Sequence, residues 1–286
     1  MTSAVPRLTQ AAALFNEDCI SGMRSRIADG SVDVVVTSPP YNLGIEYSRY
    51  DDTLSREDYL GWLGEWADET KRVLSDKGSL FLNIGGKPKD PLVPFQVLNV
   101  MTGRFVLQNV IHWIKSIAIE KCDAGDYPGI SGDVSVGHYK PIRSERFVND
   151  CHEYIFHLTI SGDVPLDRLA VGVPYQDKSN VGRWKSGGPD VRCRGNTWFI
   201  PYATIQSRDG ERPHPATFPV KLPEMCMRLH GIERIRLAMD PFLGLGHSAV
   251  AAARLGVPFA GFEIDGEYLK EARGLLEKET RRIPGL

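Results

Sequence analysis

The sequence has no long apolar segment. None of its runs approaches the about 18 uninterrupted apolar residues needed to cross a bilayer. The N-terminal stretch also lacks the basic region followed by an apolar core that marks a signal peptide. We therefore expect a protein that has no membrane partner and works in the cytoplasm.

Cysteine is scarce and scattered. The five cysteines form no Cys-x-x-Cys pair, which is typical of reduced thiols in a cytosolic protein. No Pro-Cys dipeptide is present, so neither a thiolate that attacks a cytosine ring nor a zinc deaminase site is expected. His112, His152 and Glu153 stand among apolar strand residues, and we interpret them as structural groups. The sequence therefore predicts no metal site.

Neither sign of charge is in excess. The chain has 34 Lys and Arg against 36 Asp and Glu, a formal net charge of -2. This excludes a polycation that coats nucleic acid. Any affinity for nucleic acid must come from a local basic patch, and non-specific binding should be modest.

The most informative segment that is present is an apolar run that ends in a rigid corner. The β-branched residues 34–36 predict a buried parallel strand, and Pro39 and Pro40 end it because proline cannot donate to a sheet ladder. Ligands bind at this C-terminal edge of strands in open α/β sheets. The Ser38 hydroxyl, the proline carbonyls and the flat face of Tyr41 together suit a planar ring that carries an exocyclic amine.

A second segment is predicted to form a strand, a glycine turn and a helix. Residues 234–239 predict the strand, residues 240–246 the turn and residues 248–255 the helix. A dinucleotide fingerprint, Gly-x-Gly-x-x-Gly, is excluded because no third glycine stands in register. The next strand ends at Glu263, and an acidic residue at that position in a nucleoside-binding unit accepts hydrogen bonds from ribose hydroxyls.

Together these segments resemble motifs of the S-adenosylmethionine-dependent DNA amino-methyltransferases, which modify N6 of adenine or N4 of cytosine. The sequence Ser38-Pro39-Pro40-Tyr41 is similar to their catalytic tetrapeptide, (Asp/Asn/Ser)-Pro-Pro-(Tyr/Phe/Trp), and the serine form looks most like the N4-cytosine enzymes. Residues 240–246 are similar to their cofactor loop, Asp-Pro-Phe-x-Gly-x-Gly. Leu245 and His247 depart from that family, which usually has serine and threonine there.

The order of the motifs adds to this resemblance. The catalytic strand precedes the cofactor strand, as in the β group of the family, which implies a circularly permuted motif order. By resemblance, Asp18 would meet the adenine amine of S-adenosylmethionine. The cofactor-binding residues implied in this way are Asp18, Cys19, Ser38, His214, Thr217, Phe218, Asp240, Pro241, Phe242, Gly244, Gly246, Glu263 and Ile264.

The predicted fold is α/β, a Rossmann-like methyltransferase fold with helices on both faces of a mixed seven-stranded sheet and a small target-recognition insertion. The strands are predicted at residues 14–16, 32–37, 79–84, 105–114, 153–159, 234–239 and 259–264. The helices are predicted at residues 56–74, 94–101, 219–229, 248–255 and 267–281. Residues 1–159 would form the catalytic part, 160–195 the target-recognition segment and 196–286 the cofactor-binding part.

Two stretches carry basic residues outside these elements. Residues 115–150 are predicted to form a long glycine-rich loop, and residues 160–213 interleave basic residues with Trp184 and Trp198. This pattern suits phosphate contact and base stacking, with a solvated insertion as the alternative because acidic residues dilute the charge. The candidate DNA-binding residues are Lys140, Arg143, Arg146, Arg183, Lys185, Arg192 and Arg194.

The activity that the resemblance implies is site-specific methylation of cytosine N4 in double-stranded DNA. A flipped cytosine would stack on Tyr41, while Ser38 Oγ and the Pro39 carbonyl accept hydrogen bonds from the amine. N6-adenine methylation is one alternative; methylation of RNA, protein or a small molecule, or a catalytically silent cofactor- or DNA-binding protein, are others. The resemblance also implies a bacterial or archaeal, nucleoid-associated protein, a cognate restriction endonuclease as functional partner and a homodimer.

Overall fold

The structure is a computed structural model that describes residues 12–45, 49–127, 129–137, 144–181, 190–201 and 217–282. Over these residues the strands are β1 (Ala12–Phe15), β2 (Val32–Thr37), β3 (Leu74–Ile84), β4 (Val106–Ile114), β5 (Ile117–Ile119), β6 (Val134–Val136), β7 (His152–Thr159), β8 (Thr197–Phe199), β9 (Ala238–Asp240) and β10 (Phe259–Phe262). The α-helices are α1 (Cys19–Arg26), α2 (Arg56–Val73), α3 (Val93–Thr102), α4 (Lys121–Ala124), α5 (Lys221–His230), α6 (His247–Leu255) and α7 (Gly266–Thr280). Two 3₁₀ turns lie at Lys178–Asn180 and Ile232–Arg234.

Eight of the described strands form one mixed sheet in the order β1-β10-β9-β2-β3-β7-β4-β8. Strand β2 lies near the middle and pairs in parallel with β9 and β3. Strand β7 runs antiparallel to both of its neighbours, β3 and β4. The N-terminal end of β7 therefore lies at the same edge of the sheet as the C-terminal ends of the parallel strands.

Helices cover both faces of the sheet, as predicted for the Rossmann-like fold. Side chains alternate along a strand, so Val35 of β2 packs in the core beneath α1, α2 and α3, whereas Val34 and Val36 pack beneath α5, α6 and α7. All six residues of β2 are buried. This burial on both faces explains why β2 reads as a continuous β-branched run and not as an alternating one.

The sheet has eight strands where the sequence predicted seven. The additional strand, β8, pairs with β4 over three residues, which is too short to show a period of two. Its Trp198 is 1% exposed and belongs to the core, so the interpretation of this tryptophan as a base-stacking residue was wrong. Strand β9 covers Ala238–Asp240 and not the predicted residues 234–239, and a 3₁₀ turn at residues 232–234 precedes it.

The range predicted as one long loop, residues 115–150, contains regular structure among its described residues. Strands β5 and β6 form an antiparallel pair, and α4 lies between them in sequence. The proposed recognition segment is joined to the main body at its start, where Gln108 Nε2 donates to the Val164 carbonyl at 2.7 Å and Asp167 N–H donates to the Leu229 carbonyl at 2.7 Å. The division into residues 1–159, 160–195 and 196–286 stays a prediction.

Two buried histidines share one serine inside the sheet. His157 Nε2 and His230 Nδ1 each lie 2.9 Å from Ser79 Oγ. Burial, with a smaller contribution from His230, lowers the pKa of His157 to about 3. Burial, with the nearby charge of Arg234, lowers the pKa of His230 to about 4. Both imidazoles are therefore neutral in the folded protein at neutral pH.

This pair predicts a loss of stability in acid. Below pH about 6.5 the unfolded chain takes up protons at these histidines that the folded protein takes up only near pH 3 to 4. We expect His230→Asn, whose amide can reach Ser79, to lose unfolding free energy less steeply than the wild type between pH 6.5 and 4. In urea unfolding, the dependence of the unfolding free energy on pH should differ between the two proteins by up to about 1.4 kcal/mol per pH unit. Equal slopes would contradict a neutral, buried His230.

Candidate active site

A cavity of about 300 Å³ lies at the edge of the sheet where the parallel strands have their C-terminal ends. It extends from the proline corner after β2 to the glycine turn after β9. Asp240 and Gly246 do not line it, and His214 lies outside the described residues. The predicted catalytic and cofactor residues that line the cavity are Asp18, Cys19, Ser38, Pro39, Pro40, Tyr41, Thr217, Phe218, Pro241, Phe242, Gly244, Glu263 and Ile264.

The proline corner is held from outside the cavity. Asp52, which is buried, accepts hydrogen bonds from the backbone N–H groups of Asn42, Leu43 and Ile45 at 2.9 to 3.0 Å. The Tyr59 hydroxyl donates to the Pro40 carbonyl at 2.9 Å. Because the Pro40 carbonyl already has this partner, the Pro39 carbonyl is the better candidate acceptor for a ligand.

A chain of hydrogen bonds leads from Ser38 into the protein. Ser38 Oγ lies 2.7 Å from the Tyr41 hydroxyl, which donates to Glu153 Oε2 at 3.0 Å. Asn83 Nδ2 donates to the Tyr41 oxygen at 2.8 Å and to Glu153 Oε2 at 2.7 Å. Lys115 Nζ pairs with the other carboxylate oxygen of Glu153 at 2.9 Å.

Glu153 is therefore a site residue that the sequence interpretation missed. It lines the cavity and contacts Tyr41, whereas the sequence interpretation took it for a structural group and did not place it at the site. The sequence analysis looked for polar residues at the C-terminal ends of strands. Glu153 comes at the start of β7, and only the antiparallel direction of that strand brings it to the same edge.

Asp240 lies beneath the glycine turn and not in the cavity. Its buried carboxylate accepts hydrogen bonds from Thr37 Oγ1 and Ser248 Oγ, each at 2.6 Å, and from the Phe242 N–H at 3.0 Å. Burial raises the pKa of this carboxyl to about 6. Since Thr37 is the last residue of β2 and precedes Ser38, the carboxylate ties β2 directly to the turn that follows β9.

Glu263 anchors the same turn from the end of β10. Its Oε2 accepts the Gly244 N–H at 2.8 Å, and its Oε1 accepts the Asp265 N–H at 2.9 Å. Burial raises the pKa of the Glu263 carboxyl. A carboxylate has about four acceptor positions, so two remain for the hydroxyls of a ribose.

The two glycines of the turn have different roles. Gly244 presents its backbone to Glu263, whereas Gly246, with φ of 78°, packs against α7. A Cβ at Gly246 would lie 2.8 Å from Ala272 Cβ. The close approach that requires this glycine is therefore to a helix and not to a ligand. The next residue, His247, lines the cavity and donates from Nδ1 to the Phe218 carbonyl at 2.6 Å.

The chemistry of the remaining wall suits a nucleoside. Phe242 packs against Trp62 and Trp66, with ring centroids 5.7 and 5.3 Å apart, and presents an apolar surface. Asp18 caps α1 by accepting the Ser21 N–H at 2.9 Å and reaches the same cavity. Acidic acceptors beside aromatic rings fit a ligand that offers an amine, hydroxyls and a flat base.

No group of three or more potential metal ligands occurs among the described side chains. The structure likewise contains, within its described ranges, no helix with the length and apolarity that a membrane span requires.

The candidate DNA-binding residues are only partly visible. Lys140, Arg143, Arg183 and Lys185 lie outside the described residues. Arg146 and Arg192 are exposed, whereas Arg194 is half-buried and its Nε donates to the Val171 carbonyl at 2.9 Å. These three described arginines do not line the cavity.

Comparison with known proteins identifies the family. A family model described as DNA methylase (N6_N4_Mtase) matches residues 32–274. Type II methyltransferase M.ScaI from Streptomyces caespitosus is 30% identical over 282 residues, which cover 94% of this chain and 83% of that protein. The chain therefore belongs to the N6/N4 family of DNA methylases.

Solved structures share the fold. PvuII DNA methyltransferase (cytosine-N4-specific) superposes with a TM-score of 0.65 at 20% identity and covers 96% of this chain and 91% of its own. M1.HpyAVI, solved as a complex with S-adenosylmethionine, gives a TM-score of 0.53 at 15% identity and covers 93% and 99% of the two chains. The resemblance to the β group is confirmed. The protein is a DNA methyltransferase of the N4/N6 family that uses S-adenosylmethionine.

Proposed function

We propose that this enzyme transfers a methyl group to N4 of cytosine at a specific sequence of double-stranded DNA. The observation that carries the proposal is the position of Ser38. It lies in the proline corner and lines the same cavity as the glycine turn after β9, to which Asp240 ties the preceding residue, Thr37. The serine form of the tetrapeptide supports cytosine by resemblance. PvuII methyltransferase, which has the same fold, is named as cytosine-N4-specific.

The residues of this chain bind and orient the base. Tyr41 offers its ring face to a flipped cytosine, while Ser38 Oγ and the Pro39 carbonyl accept hydrogen bonds from the N4 amine. These acceptors favour a pyramidal nitrogen, whose lone pair is then available. When bound, S-adenosylmethionine supplies an electrophilic sulfonium methyl group. No covalent bond between enzyme and base is needed.

The cofactor would be held by the turn after β9 and by Asp18 and Glu263, two of the acidic residues that line the cavity. Glu263 has acceptor positions for the ribose hydroxyls, and Asp18 is placed for the adenine amine. Thr217, Phe218 and Ile264 also line the cavity. Asp240 does not contact the cofactor in this arrangement and instead aligns its turn with Ser38.

Methylation of adenine N6 is the second candidate, since the adenine amine presents nearly the same geometry to Ser38. Incorporation of labelled methyl groups from S-adenosylmethionine into unmethylated genomic DNA tests the activity that both candidates share. We expect acid-precipitable label. Measured cofactor binding without any incorporation would contradict the proposal and favour a silent cofactor-binding protein.

Target recognition is proposed to lie in residues 160–195, helped by residues 138–146. Base edges specify a sequence, whereas phosphate contacts only position the protein. A homodimer and a cognate restriction endonuclease, both implied by the resemblance, stay predictions.

The exposed Arg192 and the half-buried Arg194 form a matched pair for testing this segment. We expect Arg192→Ala to weaken binding to all DNA sequences alike and to lower the salt slope by about 1, as loss of one phosphate contact does. Arg194→Ala should instead lower the unfolding free energy by about 1 kcal/mol, because its guanidinium holds the Val171 carbonyl. Filter-binding titrations at several salt concentrations would detect the difference. Wild-type affinity and slope for Arg192→Ala would contradict the assignment.

A further inference from the structure

Glu153 is a nearly buried carboxylate that the transfer described above does not use. Its side chain is 12% exposed, and it stands at the end of the hydrogen-bond chain that begins at Ser38. A Cβ at Gly85 would lie 2.9 Å from Glu153 Cγ and 3.2 Å from Tyr41 Cε2. The absence of a side chain at Gly85 is thus what allows the carboxylate and the tyrosine to pack together.

The number of hydroxyl protons determines which group donates in each hydrogen bond between Ser38, Tyr41 and Glu153. A tyrosine hydroxyl has one proton, and the carboxylate 3.0 Å away accepts it. Asn83 Nδ2, as oriented, donates to both the Tyr41 oxygen and Glu153. The 2.7 Å contact between Ser38 and Tyr41 must then use the proton of Ser38. Ser38 Oγ has one further donor, Asn83 Nδ2 at 3.5 Å, and so keeps a lone pair for the amine of the base.

We infer that Ser38, Tyr41 and Glu153 form a proton relay that carries the proton released by the methylated amine to Glu153. The inference rests on the proposed function. The transfer forms a nitrogen–carbon bond and breaks the sulfur–carbon bond of the sulfonium donor, so the amine nitrogen becomes positively charged. One of its protons moves to Ser38 Oγ as the serine proton moves to Tyr41 and the tyrosine proton to Glu153 Oε2.

The atoms balance without a further reactant. The methylated amine ends neutral, Ser38 and Tyr41 each end with one proton, and Glu153 ends as a carboxylic acid that later loses its proton to solvent. Glu153 acts through two hydroxyls and is therefore a positioning residue that also accepts the proton. A relay of this kind gives a serine, a weak base, access to the basicity of a carboxylate.

The charged surroundings of Glu153 suit this role. Tyr41 faces it from the corner after β2, Lys115 from the end of β4, and His152 lies beside it on β7. Lys115 balances the negative charge of the carboxylate at 2.9 Å. Burial, with a smaller contribution from the charge of His112, lowers the pKa of His152, so the ring beside Glu153 is neutral at neutral pH.

The test uses Glu153→Gln and Tyr41→Phe, with the exposed Glu233 at the opposite edge of the sheet, changed to Gln, as the control. General acid–base contributions are typically 10² to 10⁴-fold, so each relay variant should slow single-turnover transfer about 100-fold or more. Binding of S-adenosylmethionine and of DNA should stay within about a few-fold, since Phe keeps the stacking ring. The double variant should be no slower than the slower single variant, because both changes interrupt one path.

The pH profile separates a relay from a merely structural role. The transfer rate of Glu153→Gln should depend on pH differently from that of the wild type, while Glu153→Asp, which keeps a carboxylate, restores part of the wild-type profile. Wild-type rates for Tyr41→Phe, or multiplicative effects in the double variant, would overturn the relay and leave the proposed function standing. Absence of transfer by the wild-type protein would overturn both. Should Glu153→Gln not fold in thermal unfolding, Tyr41→Phe alone decides the outcome.

Discussion

Replacing Ser38 with alanine is expected to slow methyl transfer about 100-fold or more and to leave cofactor binding unchanged. The change removes the acceptor that faces the amine and breaks the 2.7 Å contact with Tyr41. Loss of one preorganised polar group at a reacting centre typically slows catalysis about 10² to 10³-fold. The corner itself should keep its shape, because Tyr59 and Asp52 hold it independently of Ser38.

Single-turnover rates and calorimetric titration with S-adenosylmethionine measure the two halves of this prediction. Ser25→Ala is the matched control, since that hydroxyl donates to the Gly22 carbonyl within α1. The control should transfer at the wild-type rate. A Ser38→Ala variant that methylates DNA as fast as the wild type would refute the proposed position of the base.

Replacing Glu263 with alanine is expected to weaken binding of S-adenosylmethionine about tenfold or more. Hydrogen bonds to a charged group contribute about 1.5 to 3 kcal/mol, and the proposed ribose contacts would lose theirs. The same change releases the N–H groups of Gly244 and Asp265, which Glu263 accepts at 2.8 and 2.9 Å. The turn after β9, which carries proposed cofactor residues, should therefore loosen as well.

Calorimetry again provides the measurement, with Glu267→Ala as the control. Glu267 is exposed in the first turn of α7, close in sequence to Glu263 but not part of the cavity lining. The control should bind as the wild type does. Normal binding by Glu263→Ala, or binding of NAD in place of S-adenosylmethionine by the wild type, would disprove this assignment.

The two motif segments were predictable because their information is local. The run that forms β2 is buried on both faces, and Pro39 and Pro40 mark its end wherever it lies in the chain. The turn after β9 is similarly marked by its glycines and by the helix that follows. Since both strands are parallel, their C-terminal ends meet at one edge, and most of the residues predicted there do line one cavity.

Residues that depend on tertiary pairing were not predictable. Glu153 reaches the site only because β7 is antiparallel, and no local pattern reveals the direction of a strand. Strand β8 forms through pairing with β4 over three residues that carry no strand period. Trp198 was assigned to a DNA surface from its basic neighbours, yet it is buried in the core.

Asp240 shows a different limit. The Asp-Pro-Phe motif marks where the cofactor turn lies but not which side of the turn a side chain occupies. The structure places this carboxylate beneath the turn, where it joins Thr37 to Ser248. Gly246 is similar, because α7 and not a ligand requires its small size. Sequence motifs thus locate a site more reliably than they assign the role of each residue in it.

The most direct test of the proposed reaction is the identity of the methylated nucleoside. Unmethylated genomic DNA is incubated with the protein and S-adenosylmethionine carrying an isotope-labelled methyl group, digested to nucleosides and analysed by mass spectrometry. The proposal predicts labelled N4-methylcytosine, which is strongly reduced in Ser38→Ala. Labelled N6-methyladenine in its place would contradict the choice of base, and labelled 5-methylcytosine would contradict direct transfer to an exocyclic amine.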